Sequence, residues 1–424
     1  MRKFSPCLVL VCLLGLVLVT AVITSITVPS RNISHAAPAA SDEYIVLSWN
    51  DLGMHWYTAD FQDFAMFPPS NTLFAQVIKI GDPPEIITSG ITVTYAFPDN
   101  TYSVGKTNFW DYEQAIFGVD LEPDVGLHGK GLAGEMDPQA DHFIAEGIPL
   151  TEFSDSDLNN PDPYQLALVK VYDAASGEEL AQSNVVAPTS TEVSCADCHY
   201  DNGVDGISTG RVETNILELH DVRNKNKYPA GHKTPLMDRR PILCAECHES
   251  SALGEPGLPN MDNLSFVMHS SHDRGVYIPD TMMGCYMCHP GPETQSLRDT
   301  MFSAGEDCID CHGTLADVSQ NPTPWLREPR CDDCHDDDNH DQDQALFHLS
   351  KNHGGLYCAA CHDSAHATAP SSEPLDNIKF IDLQGDAGTL TECTVCHATP
   401  PEEAGPHGLM ATIWEYVFLP MITR

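Results

Sequence analysis

Basic residues are scarce in this chain of 424 residues. It contains 21 lysines and arginines against 61 aspartates and glutamates, which gives a formal net charge of −40 at pH 7. A surface this acidic repels the phosphate backbone, so the composition excludes a nucleic-acid partner, and it also disfavours docking on anionic lipid. Hydrophobic residues make up 42% of the chain, which is enough for a core.

Long apolar runs are also lacking, apart from one near the start. The run Cys7–Val28 follows the basic start Met1–Lys3 and precedes the small-residue stretch Ser34–Ala40. This order predicts an export signal over residues 1–40. The run is long enough to span a bilayer, so an uncleaved N-terminal membrane anchor is the alternative. Either way, the rest of the chain is expected to be exported, in the periplasm or at the cell surface.

Cysteine is absent from residues 41–188, and strand-like runs are found there instead. In the third of these runs, Ile91, Val93, Tyr95 and Phe97 alternate with polar residues or alanine, which is typical of a half-buried strand. The pattern predicts an all-β, sandwich-like accessory domain over residues 41–188. The four runs are Tyr44–Trp49, Leu73–Ile80, Ile91–Phe97 and Leu166–Tyr172. Lone histidines in this region are expected to be structural or exposed, although His55 remains a candidate ligand.

Of the 16 cysteines, all but Cys7 and Cys12 belong to seven C-x-x-C-H motifs. Two thiols on one helical turn reach the two vinyl groups of a haem, and the adjacent imidazole binds the iron. The motifs are Cys195, Cys198 and His199; Cys244, Cys247 and His248; Cys285, Cys288 and His289; Cys308, Cys311 and His312; Cys331, Cys334 and His335; Cys358, Cys361 and His362; and Cys393, Cys396 and His397. They predict seven covalently bound c-type haems.

Three other uses of cysteine explain the pattern less well. Disulfides are common in exported proteins, but they do not need a histidine after every second cysteine. Structural zinc needs paired C-x-x-C units, and a ligating histidine directly beside its cysteine suits that tetrahedron poorly. The C-x-x-C-x-x-C runs typical of iron–sulfur clusters do not occur.

Each iron needs a second axial ligand or an open position, and nine histidines outside the motifs follow residue 189. Six are predicted as distal ligands: His220, His269, His272, His353, His366 and His407. The seventh ligand is left among His232, His340, His348 and His55. Methionine ligation would raise the reduction potential, but with so many histidines the methionines are expected to fill the core.

Residues 189–424 are few for seven haems. This density predicts short helices and loops wrapped around a haem array, with little regular structure and the macrocycles as the core. The segment Cys331–Asp343 holds seven aspartates and no basic residue. It is predicted to be a solvated acidic loop, with a calcium site or a cationic docking patch as alternatives.

This half resembles the multihaem c-type cytochromes of anaerobic respiratory prokaryotes, and the stretches Met268–His272 and His353–His362 look like that group. The resemblance implies closely packed bis-histidine haems that carry electrons to redox proteins or to metal or mineral acceptors. It also implies that copies of such a chain could assemble into an oligomer or a filament. Flanking histidines are then expected to serve an adjacent haem instead of the nearest one in sequence.

Electron transfer is therefore the predicted function, and the alternative is a reductase of nitrogen or sulfur oxyanions with one open-coordinate haem. That alternative needs positive groups around the open iron. The basic island of Arg223, Lys225, Lys227, Lys233, Arg239 and Arg240 is the candidate, although it is expected to pair with haem propionates. A third hypothesis is that the β domain carries the main function by binding a partner, polymer or mineral, and that the haems serve it.

Overall fold

Two five-stranded sheets dominate the first half of the protein in the computed structural model, which describes residues 43–274, 278–321, 329–335 and 346–408. The first sheet has the order β1-β4-β9-β8, with β5 also paired to β4, and the second has the order β2-β11-β10-β6-β7. The strands are β1 Tyr44–Asn50, β2 His55–Trp56, β3 Phe64–Ala65, β4 Asn71–Lys79, β5 Glu85–Ile87, β6 Ile91–Ala96, β7 Ala133–Glu135, β8 Asp137–Pro138, β9 Phe143–Ile148, β10 Tyr164–Asp173 and β11 Glu179–Ser190.

The two sheets share one hydrophobic core. Val77 of β4 and Ala145 of β9 come from the first sheet, and Val169 of β10 and Val185 of β11 come from the second. Alternation along β6 places Val93 and Tyr95 in this core, as the sequence pattern predicts, because successive side chains of a strand point to opposite faces. The predicted β-rich region is therefore confirmed.

One helix interrupts the region, so the all-β prediction is wrong in this detail. Helix α1, Phe109–Phe117, buries Phe109 and Ile116 against Phe61 and ends at Gly118. Gly118 has a φ of 71°, a left-handed conformation that glycine adopts without strain. The apolar spacing of this helix was visible in the sequence as a 3.6-residue period.

Short helices and loops make up the second half, in agreement with the coarse prediction for residues 189–424. The α-helices are α2 Ala196–His199, α3 Val212–Asn224, α4 Leu264–Asp273, α5 Met282–Cys285, α6 Thr300–Ala304, α7 Cys308–His312, α8 Leu315–Gln320, α9 Cys358–His362 and α10 Ile378–Gln384. Single 3-10 turns occur between them. Strand β12, Ile242–Leu243, pairs in parallel with β3 and so connects this half to the β-rich half.

The β-rich half and the motif-bearing half pack directly on each other. Trp49 of β1 lies in a cluster with Tyr357 and Ala359, next to and within the sixth motif. The buried Lys379 donates through Nζ to the Ser48 carbonyl at 2.9 Å. Residues after 42 that the structure describes belong to one compact unit. The boundary predicted at 188/189 falls near the end of β11 and remains a prediction.

In the described part of the chain, no helix is both long and apolar enough to cross a membrane. The predicted signal or anchor, residues 1–40, lies outside the described residues. His340 and the part of the acidic segment that follows His335 also lie outside them.

Candidate functional site

The C-x-x-C-H motifs share one local conformation. In five motifs the histidine amide donates to the carbonyl of the first cysteine, at 2.9–3.1 Å, which closes a single helical turn around the two thiols. These bonds join His199 to Cys195, His248 to Cys244, His289 to Cys285, His335 to Cys331 and His397 to Cys393. The other two motifs form α7 and α9. Each motif therefore presents two thiols and an imidazole on one turn.

Six motif histidines each lie opposite a second histidine. The distances between the ring centres are 6.4 Å for His199 and His272, 6.4 Å for His248 and His220, 6.0 Å for His289 and His269, 6.0 Å for His312 and His366, 5.8 Å for His362 and His407, and 6.0 Å for His397 and His353. The second members are the six histidines that the sequence singled out as distal candidates.

The spacing of these rings suits one metal atom between them. An imidazole nitrogen lies about 2.0–2.1 Å from a metal that it binds and roughly 1.1 Å from its own ring centre, so two axial imidazoles have centres about 6.3 Å apart. The observed 5.8–6.4 Å brackets this value. The described residues contain no cluster of three or more metal-binding side chains; the imidazoles meet in twos.

Hydrogen bonds at Nδ1 fix the tautomer of several of these histidines. Nδ1 of His248 contacts the Asp262 carbonyl at 2.8 Å, and Nδ1 of His272 contacts the Met268 carbonyl at 2.7 Å. A carbonyl oxygen only accepts, so Nδ1 carries the hydrogen and Nε2 keeps the lone pair for a metal. His269 is held in the same way by the Ser265 carbonyl at 2.7 Å.

Burial keeps the central imidazoles uncharged. It lowers the pKa of His289 and of His366 to about 4, with neighbouring histidines as the second cause. Burial also lowers the pKa of His199, His220 and His269. Neutral imidazole is the form that binds metal, so the pairs are in the protonation state that a ligand needs.

Histidines next to one motif face another motif. His353 and His366 flank the sixth motif, yet they oppose His397 of the seventh and His312 of the fourth. On α4, His269 and His272 stand one turn apart and lie near the motif histidines of the third and first motifs. Each of these histidines therefore lies near a motif other than the one closest to it in sequence.

Neighbouring motifs lie close enough for their thiols to interact electrostatically. Burial and then Cys288 raise the pKa of Cys195 to about 11, so the third motif lies near the first. A hydrogen bond from Cys308 lowers the pKa of Cys285, so the fourth motif lies next to the third. After burial, Cys334 is the largest cause that raises the pKa of Cys311, so the fifth motif lies near the fourth.

The sixth and seventh motifs also lie near each other. Burial and then Cys361 raise the pKa of Cys396 to about 12.

The first and second motifs are joined by α3. On this helix, Asn215 donates to the His199 carbonyl at 2.9 Å, and the His220 ring lies near that of His248.

The β-rich half also touches these sites. The Leu52 backbone hydrogen-bonds to His366. Trp49 Nε1 is buried and has no hydrogen-bond partner among the described residues. An orphaned donor beside the sixth motif suits a site that takes a cofactor with carboxylate groups, as haem does. These supporting residues could not be predicted from the sequence, because backbone carbonyls and distant side chains carry no motif.

The remaining histidines have other surroundings. His55 contacts Asp51 through Nε2 at 2.7 Å, and His232 lies 3.7 Å from Glu246. The ring centre of His348 lies 6.4 Å from that of Phe74. His335 of the fifth motif also has a partner in the structure, and its second ligand remains a prediction.

The three arginines of the basic island contact protein carboxylates. Arg239 contacts Glu246 at 2.5 Å, and Arg240 contacts Asp63 at 2.9 Å. Arg223 contacts Asp205 at 2.8 Å. Pairing of this island with haem propionates remains a prediction.

No family model, no curated protein and no solved structure matches this chain.

Proposed function

We propose that the chain is a seven-haem c-type cytochrome that transfers electrons outside the cytoplasm. The observation that supports it most is the set of six imidazole pairs, each joining a C-x-x-C-H histidine to a histidine elsewhere in the chain at 5.8–6.4 Å. The motif accounts for one histidine of each pair, and the second histidine belongs to no motif. A C-x-x-C-H motif that arose by chance would therefore not have a second histidine beside its own.

The bound haems would supply one-electron couples of iron. The chain's own part would be to hold two neutral imidazoles close together at each such site, to orient them through Nδ1 and to exclude water by burial. Asp262 and Met268 provide such carbonyl acceptors at His248 and His272. Two strong axial donors leave an iron no vacant position for a substrate, which favours electron transfer over catalysis at these sites.

The contacts among motifs suggest one route for electrons. Sites follow one another in the order second, first, third, fourth, sixth and seventh, because each successive pair shares a helix, an interaction between thiols or a flanking histidine. The fifth site adjoins the fourth through Cys311 and Cys334. The fourth site is thus the junction of this proposed route, and the second, fifth and seventh sites are its ends.

Export and the choice of acceptor belong to the same proposal. The acid-rich composition suits redox partners with basic faces, or metal and mineral acceptors, more than anionic surfaces. An oligomer or filament of this chain would extend the route from one copy to the next.

The test is a haem count followed by low-temperature EPR of the oxidised protein. In a host that attaches c-type haem, the pyridine haemochrome spectrum and the intact mass are expected to give seven haems. The double variant Cys331→Ala, Cys334→Ala is expected to give six, while Cys7→Ser, Cys12→Ser keeps seven.

EPR then separates the carrier from the reductase. Low-spin ferric signals alone are expected, because every iron would have two strong axial ligands. A high-spin ferric signal that changes on addition of cyanide or nitrite would contradict the carrier proposal and support the oxyanion reductase. A protein that folds and carries no haem would contradict both.

A further inference from the structure

The turn after β4 is hydrogen-bonded to the backbone of the seventh motif. The amide of Gly81 donates to the Cys396 carbonyl at 3.3 Å, and the amide of Ala398 donates back to the Gly81 carbonyl at 3.3 Å. This reciprocal pair fixes the backbone on both sides of His397 to the β-rich half. A residue next to Gly81 is thereby held at a defined distance from the His397 ring.

Asp82 is that residue. Its Oδ1 lies 3.6 Å from Nδ1 of His397, and its Oδ2 accepts a hydrogen bond from the Thr399 hydroxyl at 2.8 Å. The hydroxyl thus orients the carboxylate, whose other oxygen lies near the proximal imidazole.

A carboxylate near Nδ1 differs from the groups found at two other motifs. Nδ1 of His248 contacts a backbone carbonyl at 2.8 Å, and Nδ1 of His362 contacts the Thr389 hydroxyl at 3.4 Å, and both of these groups are neutral. At 3.6 Å the Asp82 oxygen lies beyond hydrogen-bond distance, so it acts on the His397 ring through its negative charge. A negative charge beside an iron ligand would stabilise ferric iron over ferrous iron and so lower the reduction potential.

We infer that Asp82 is a positioning residue that lowers the reduction potential of the haem at the seventh motif, through His397. This inference rests on the proposed function. It gives the β-rich half a role in setting potentials, and it places a low-potential site at the His397 end of the proposed route.

The test uses the full-length holoprotein and a matched control. Asp82→Asn keeps the size of the side chain and removes its charge. Glu85→Gln removes the same charge from an exposed residue on β5, in the same turn. Comparing the two separates contact with His397 from a general change in surface charge. Potentiometric titration followed by optical and EPR spectra is the measurement.

In Asp82→Asn, one of the seven couples is expected to rise in potential by at least a tenfold change in its equilibrium constant, about 59 mV for one electron. One low-spin EPR signal should shift with it. Asp82→Glu is expected to restore most of the lowering, and Glu85→Gln is expected to titrate as the unaltered protein. Because the carboxylate is partly exposed, the shift should shrink as salt is added.

A second variant covers the case in which Asp82→Asn does not fold. Thr399→Val leaves the carboxylate but removes the hydroxyl that orients it, and it is expected to raise the same couple by a smaller factor. If seven haems are present and the titrations of Asp82→Asn and Thr399→Val coincide with that of Glu85→Gln, the inference is wrong while the proposed function stands. If haem is absent altogether, the proposed function fails first.

Discussion

Arg298 and Asp376 form a doubly hydrogen-bonded ion pair in the interior, with Nε–Oδ2 at 2.7 Å and Nη2–Oδ1 at 3.1 Å. Their side chains are 1% and 4% exposed. Arg298 also donates through Nη1 to the Gly53 carbonyl at 2.8 Å. One guanidinium thus joins the segment between the third and fourth motifs to the segment before the seventh and to the β-rich half.

Removing one partner of this pair is expected to destabilise the protein strongly. Asp376→Leu leaves the Arg298 charge buried without its carboxylate, and such a change costs about 3–5 kcal/mol. Urea unfolding measures the loss. The half-buried surface pair Lys170–Glu179 is the control, since Glu179→Gln should cost less than about 1 kcal/mol. Equal losses at the two positions would contradict the role assigned to Arg298.

Replacing one distal histidine is expected to change one haem and leave the other six. In His272→Met, a thioether would face His199 in place of the imidazole that now lies 6.4 Å away. Methionine ligation raises the potential, so one couple in the redox titration should rise by at least a tenfold change in its equilibrium constant, about 59 mV. The control is His128→Met, at an exposed residue of the β-rich half, and its titration should match that of the unaltered protein. A titration of His272→Met that matches this control would rule out His272 as a ligand.

Two glycines with the same backbone conformation are expected to lose very different amounts of unfolding free energy when each is changed to alanine. Gly53 has a φ of 74° and Gly90 a φ of 75°, so both substitutions lose about 1 kcal/mol from left-handed strain. A Cβ at Gly53 would lie 1.9 Å from the Ala365 carbonyl oxygen, whereas none at Gly90 would meet an atom within 4 Å. Gly53→Ala should therefore cost clearly more in urea unfolding. It should also perturb one low-spin EPR signal, because His366 adjoins Ala365.

Low pH is expected to weaken the ion pair between Asp155 and Lys106, which holds the loop before α1. Burial would raise the pKa of Asp155, but hydrogen bonds from Lys106 and Thr101 outweigh it and lower that pKa below its usual 3.8. A depressed pKa means that the contribution to stability is present above the unfolded-state pKa and is lost as the pH falls through the folded-state pKa. At pH 7, Asp155→Asn should be less stable by about 1–2 kcal/mol.

Far-UV circular dichroism during urea unfolding at several pH values measures the difference between this variant and the unaltered protein. The gap in unfolding free energy is expected to narrow as the pH falls below 3.8, where Asp155 of the unfolded chain takes up a proton, and to close as the pH falls through the lower pKa of the folded state. A gap that stays constant from pH 7 to pH 3 would contradict the argument.

Strands of the β-rich half could be predicted where apolar and polar residues alternate along the sequence. They could not be predicted where polar residues are buried. The run Ile91–Phe97 alternates and forms β6. Strand β11, the longest at 12 residues, has no such pattern, because Ser183 and Asn184 lie inside it and are buried. Their partners come from distant segments: Ser183 contacts Ser48, and Asn184 contacts Asp382. Tertiary hydrogen bonds overrode the local signal.

The motif histidines could be predicted from the sequence, and the pairing of histidines could not. A C-x-x-C-H motif fixes the position of one imidazole relative to its two cysteines. The second imidazole comes from another segment of the chain, and the fold decides which segment that is. His407 lies after the seventh motif and faces His362 of the sixth, while His353 precedes the sixth and faces His397 of the seventh. Sequence order alone favours neither arrangement, since both depend on how the loops cross in three dimensions.

Each imidazole pair joins residues that are far apart in sequence, such as His199 with His272 and His312 with His366. If one iron holds both rings, every pair closes a loop, and the unfolded chain loses conformational entropy as it does when a disulfide forms. All fourteen motif cysteines are free of disulfides in the structure. The chain would nonetheless be cross-linked, by bonds that open when an axial ligand leaves and not when a thiol is reduced. Competing imidazole should therefore loosen this fold under conditions where dithiothreitol does not.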